Sequence, residues 1–277
     1  MLYLFKFKCD FGGSIMLKKK LLDSLYDRYN KREFVHPDPL EFLYNYEDPK
    51  DREIVGLIAA SLAYGRVSQI LKDVSYILNK MDEPYNFVMG STHGSLMIDF
   101  DGFVHRYTNG EEMATFLSNI KNILISYGSL HDCFLSKIKK DDDTIVPALS
   151  EFIKILVPDG QRNSLIPSSN CKSPCKRLNL FLRWMVRSDD VDPDGWSDLS
   201  RSKLIVPLDT HMHHISLALK LTERKQADMK TALEITDKFK TISPNDPVKY
   251  DFSLTRLGIR DDTDMDGFFR EYWSDDA

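Results

Sequence analysis

Apolar residues in this chain return every three or four positions in one segment after another, and no stretch alternates convincingly with the period of two that a half-buried strand needs. The sequence is therefore confined to helical packing. Ile54, Leu57, Ile58 and Leu62 form one apolar stripe behind Asp51, and the small Ala59, Ala60, Ser61 and Ala63 beside it allow another helix to come close. Val67, Ile70, Leu71, Val74, Ile77 and Leu78 repeat the pattern, which predicts a helical hairpin turning at Tyr64, Gly65 and Arg66, an exposed corner. Further helices are expected from Met16 toward Pro37 and Pro39, from Phe116 to near Gly128, over 144–157, and from Lys176 past Met185. In the last of these Leu178, Phe181, Leu182 and Met185 make the buried face, with Arg183 and Arg187 elsewhere on the cylinder. Others follow Asp209, run through Ala232, Ile235 and Phe239, and extend from a cap at Asp246 to Gly258. Pro84 to Gly94 and the charge run KIKKDDD read as loops. The expected class is all-α, with residues 1–15 a disordered N-terminal extension and 16–277 a single helical domain.

Composition narrows the function. Hydrophobic residues at 42% and charged residues at 29% exclude disorder for most of the length, while the apolar runs are too short to span a membrane. A formal net charge of -5 means that any nucleic acid must be met by a local basic patch rather than by the whole surface. Four cysteines, Cys9, Cys133, Cys171 and Cys175, are too scattered for a disulfide framework, so a reducing cytoplasm is the expected location.

Two places can carry chemistry. The short run LIVPLD sets Asp209 at the N-cap of the helix that follows, where its carboxylate faces a positive helix end; a plain cap would look the same. Lys176 stands at a basic helix start with Lys172 and Arg177, suited to binding phosphate or, if desolvated, to reacting. His211 and His214 share a helix face, and His213 lies between them. No carboxylate or cysteine accompanies them at ligand spacing, and Cys171 with Cys175 has no second pair, so neither a metal nor a cofactor is expected. His105 and Arg106, before Tyr107, suit base stacking or phosphate binding, as well as an ordinary surface loop.

The segment PLDTHMHHI is similar, almost residue for residue, to the catalytic segment of 8-oxoguanine DNA glycosylases, and CKRLNLFLRWMVR resembles the helix that begins with the lysine nucleophile of the helix-hairpin-helix glycosylase superfamily. The 33 positions from Lys176 to Asp209 look most like the archaeal branch. The hairpin from Ile54 to Leu78 and ITDKFKTISPNDPVKYDF resemble the superfamily's opening and closing helices. The motifs KRLN, FLRWMVR, PLDTH and DPVKYDF also resemble an uncharacterised, mainly bacterial domain-of-unknown-function family.

What the resemblance implies is a helix-hairpin-helix glycosylase-like fold, two helical subdomains flanking a cleft, and a bifunctional DNA N-glycosylase and AP lyase. Lys176 would be the nucleophile and Asp209 its acidic partner. The implied partner is double-stranded DNA carrying a damaged base, such as 8-oxoguanine, or an abasic site, bound by a monomer. His211 would line the lesion side and Tyr64 with Arg66 the wedge, while His105 and Arg106 remain candidate DNA contacts. One departure stands out: IPSSNCKSPCKR has no glycine where the superfamily holds a phosphate on backbone amides, so Ser168, Ser169, Lys172 and Arg177 would have to replace them. No four-cysteine cluster lies near the C-terminus, which excludes the iron-sulfur version. The alternative is a helical nucleic-acid-binding protein that keeps the fold without the chemistry.

Overall fold

The computed structural model describes residues 15–158, 161, 163–167, 173–259 and 263–273. Of the expected extension only Ile15 is among them, and it already opens the first helix. Thirteen α-helices are described: α1 Ile15–Tyr29, α2 Pro49–Ser61, α3 Val67–Leu78, α4 Pro84–Gly90, α5 His93–Asp99, α6 Gly110–Tyr127, α7 Leu130–Leu135, α8 Val146–Leu156, α9 Lys176–Val186, α10 Thr210–Ala218, α11 Met229–Ile242, α12 Asp251–Ile259 and α13 Met265–Trp273. The class is all-α, and among the described residues no helix is long and apolar enough to cross a membrane.

Helix α2 is the centre of the packing. Asp48 caps it by accepting from the Lys50 amide, Pro49 occupies its first turn, and every residue from Glu53 to Ser61 is buried. The helix that exploits its small residues is α9: Gly56 sits so close to Phe181 and Met185 that an added Cβ would lie 3.4 Å from each. The buried apolar side chains then form one continuous cluster, reaching from Leu22 in α1 to Tyr272 in α13.

Several boundaries differ from the sequence reading. Pro84 to Gly94 is not a loop but contains α4 and the start of α5, opened by Pro84 and by a reciprocal Thr92–Ser95 capping box. Each has only seven residues, too few for an apolar stripe to repeat. A two-stranded antiparallel hairpin, β1 Val104–His105 with β2 Thr108–Asn109, also went unread, because two residues per strand leave no alternation to detect. Helix α2 closes at its C-cap Leu62, and Gly65 makes the expected turn into α3 at φ 106. Helix α12 starts at Asp251 rather than near Asp246, while its described end, Ile259, is within one residue of the expected Gly258, which packs against Ile215. Asp246 is drawn away from a capping role by Arg187, whose Nε donates to it.

That pairing belongs to a buried charge network on α9. Arg183 and Arg187, which lie off the apolar face, are nonetheless 3% and 2% exposed. Arg183 donates to Asp192 and Asp251, and Arg187 to Asp192 and Asp246 with a further ion pair to Asp189 at 2.8 Å. Against a large burial penalty these carboxylates hold both guanidinium pKa values above the ordinary arginine range.

A separate buried carboxylate, Glu53 of α2, accepts from the amides of Leu130 and His131 at 2.7 and 3.1 Å and from the Trp196 indole at 3.0 Å, which ties the start of α7 to the core. Burial pushes Glu53 up to about 7 in spite of these donors. Since the folded state then binds a proton more tightly than the unfolded chain, stability falls as pH rises from about 4.5 through about 7, by an amount on the order of 3 kcal/mol. Urea midpoints recorded from pH 5 to pH 8 should decrease; a steady increase would show that Glu53 is ionised without cost.

Candidate functional site

Three helices begin at one cleft. Lys176 is the first residue of α9, Asp209 the N-cap of α10 and Asp251 the first residue of α12, and all three line a cavity of about 1020 Å³. The turn before α9 is abrupt: Cys175 takes a left-handed conformation at φ 49 and makes no side-chain cap. The positive ends of three helix dipoles therefore meet in one concavity, an environment that favours anionic groups.

Asp209 divides its carboxylate between two tasks. Oδ1 accepts from the Met212 amide at 2.9 Å, the expected cap, while Oδ2 lies 3.5 Å from the Lys176 Nζ. Both side chains remain about 30% exposed, at 30% for Lys176 and 27% for Asp209, so a ligand in the cleft can reach them. The cap and the acid-partner readings of Asp209 are thus compatible, because each uses a different oxygen. An amine held at this distance from a carboxylate can attack an electrophile, and the carboxylate can accept its protons.

His211 is exposed in the first turn of α10 and lines the same cleft. His213 instead points inward, its Nε2 2.8 Å from the Arg224 carbonyl. Among the described residues no group of three or more His, Cys, Asp or Glu is placed to hold a metal ion.

Other expected contacts are corrected by the structure. Arg177 lines the cleft, but its guanidinium donates to the carbonyls of Ser61 at 2.6 Å and Ser164 at 3.0 Å and lies over the Tyr64 ring. Burial lowers its pKa. It is a strut joining α9 to the end of α2, with part of its donor capacity committed to the fold. His105 is 1% exposed, with Nδ1 2.6 Å from Asp73 Oδ2 and Nε2 3.1 Å from the Tyr64 carbonyl, so it holds the β-hairpin against α3 and cannot touch DNA from there. Tyr64 is half-buried rather than projecting, its hydroxyl 2.7 Å from Thr108 Oγ1. Arg66 and Arg106 are exposed at this corner, and Arg106 packs beside Gly65. Ser168, Ser169 and Lys172 lie outside the described residues.

The cleft also holds charged residues that sequence reasoning passed over. Asp251 is 4% exposed and paired with Arg183; burial, with Asp209 and Asp192 adding repulsion against the pull of Arg183, pushes it up to about 6. On the same helix Arg256 pairs with Asp38 and stacks on Phe252 at 4.5 Å. Asp251 lies within the DPVKYDF motif, which was the available signal; Asp38 sits between two prolines and gave none.

A family model described as protein of unknown function (DUF2400) matches residues 38–260, a span that includes Asp38, Lys176, Asp209 and Asp251. No curated protein and no solved structure matches the chain.

Proposed function

Since the chain belongs to the DUF2400 family, whose description carries no activity, we propose from its site and its motifs that it is a DNA repair glycosylase with AP lyase activity, built on a helix-hairpin-helix glycosylase-like fold. The observation that carries this reading is the 3.5 Å approach of the Lys176 amine to the Asp209 carboxylate in an open cleft, from positions 33 residues apart in the sequence. Support comes from the likeness of PLDTH and CKRLNLFLRWMVR to the two catalytic segments of that superfamily.

In this reading a damaged nucleotide, such as one carrying 8-oxoguanine, leaves the base stack of double-stranded DNA and enters the cleft. The amine nitrogen of Lys176 attacks the sugar C1′, displaces the base and forms a Schiff base, which permits elimination of the adjacent phosphate. Asp209 accepts the protons that Lys176 sheds and offsets positive charge developing on the sugar. The convergent helix N-termini and the exposed Arg66 and Arg106 favour the phosphates.

Borohydride reduction in the presence of duplex DNA containing 8-oxoguanine or an abasic site tests the proposal. A covalent protein–DNA adduct is expected on both. The stretch IPSSNCKSPCKR, which lacks the superfamily's glycine turn, favours a second reading, a nucleic-acid-binding protein without chemistry; salt-sensitive DNA binding with no adduct would establish that one instead.

A further inference from the structure

Asp251 is buried to 4% exposure yet lines the cleft, and nothing in the reading above gives it a task. One oxygen, Oδ2, accepts from Arg183 Nη1. The other takes no hydrogen bond among the described residues, and it is not among the polar atoms sealed from solvent without a partner, so it opens onto the cleft. Asp209, its neighbour across the site, has both oxygens engaged, one by the Met212 amide and one by the Lys176 amine, whereas Asp251 keeps one oxygen for a ligand. The two carboxyls of one cleft thus have environments that separate their roles.

We infer that Asp251 is the general acid that protonates the departing base. The inference rests on the glycosylase reading. Its carboxyl, raised to about 6, is able to carry a proton in the range where such an enzyme works. The charged groups that act on it are Arg183, which favours its ionised form, and Asp209 and Asp192, which oppose it.

The step balances as follows. The Lys176 lone pair forms the bond to C1′ while the bond from C1′ to the base nitrogen breaks, and that bonding pair goes to the base. The Asp251 proton passes to a ring nitrogen or oxo oxygen of the base, which leaves neutral. The new secondary ammonium on Lys176 loses a proton to Asp209 or to water, and Asp251 is left as a carboxylate against Arg183.

An abasic site has no base to protonate, which separates this role from folding and from the lysine chemistry. Asp251→Asn should lower single-turnover excision of 8-oxoguanine about 100-fold while borohydride trapping on a preformed abasic duplex stays within about threefold of wild type. Wild-type excision should also decline as pH rises above about 6, with no matching decline in abasic-site trapping; this arm needs no variant. Equal losses in both assays, unchanged excision, or a wild-type pH profile without that decline would each overturn the role of Asp251 and leave the lysine chemistry standing. A wild type that traps on abasic DNA but excises no 8-oxoguanine also removes it, since the acid then has no base to serve. A wild type that forms no adduct on either duplex overturns the glycosylase reading and this inference together.

Discussion

Lys176→Ala is expected to abolish the borohydride-trapped adduct completely while leaving the protein folded. The pair it breaks is an open contact at 3.5 Å between partly exposed side chains, which contributes no more than about 1 kcal/mol to stability. Alanine is also well tolerated at the start of a helix. Asp209 permits a sharper dissection, because its cap and its contact with the amine use different oxygens. Asparagine is as good an N-cap as aspartate, so Asp209→Asn should keep α10 and the unfolding midpoint while trapping falls on the order of 1000-fold through loss of the charge. Asp209→Ala should add a loss of about 1 kcal/mol in stability. Circular dichroism melts beside the trapping gels would read both effects. If Asp209→Asn traps as well as wild type, the carboxylate is a cap and nothing more.

The residues that meet at the cleft were legible wherever a motif marked them. Lys176 and Asp209 stand at helix starts, and a helix start has a sequence signature, so their places could be read from the residues, while their convergence was expected only from the resemblance. The class was legible for a related reason: long stripes such as that of α3 repeat over several turns. Contacts made by polar side chains across large sequence distances left no such trace. His105 looked like a surface histidine because its partner, Asp73, lies 32 positions away on α3. Arg177 looked like a phosphate ligand because carbonyls at Ser61 and Ser164 are identical in sequence to any others. Arg183 and Arg187 interrupt an apolar helix four residues apart, and the acidic run that neutralises them, Asp189 to Asp192, follows in the next loop. Their place off the apolar face gave no sign of burial, yet Arg183, Arg187, Asp192 and Asp251 are buried together because each charge has an opposite neighbour.

The second large effect lies in that network. Asp192 is fully buried and accepts from both Arg183 Nε, at 3.2 Å, and Arg187 Nη1. Asp192→Ala would leave two guanidinium groups inside the protein with reduced countercharge, and removal of one partner from a buried pair costs about 3–5 kcal/mol. Asp251 and Asp246 remain to hold one arginine each, so the lower end of that range is expected rather than outright unfolding. The urea midpoint reads the loss, and Asp192→Asn should fall between the two, since its amide oxygen still accepts from one arginine. The consequence reaches the cleft, because Arg183 joins Asp192 to the carboxyl of Asp251. With Asp192 gone, Arg183 has Asp251 as its principal counterion, which holds that carboxyl more firmly in its ionised form and shifts the decline of base excision to lower pH. A stability loss below about 1 kcal/mol would instead show that these pairs behave like exposed ones, and the buried network would then be incidental to both fold and site.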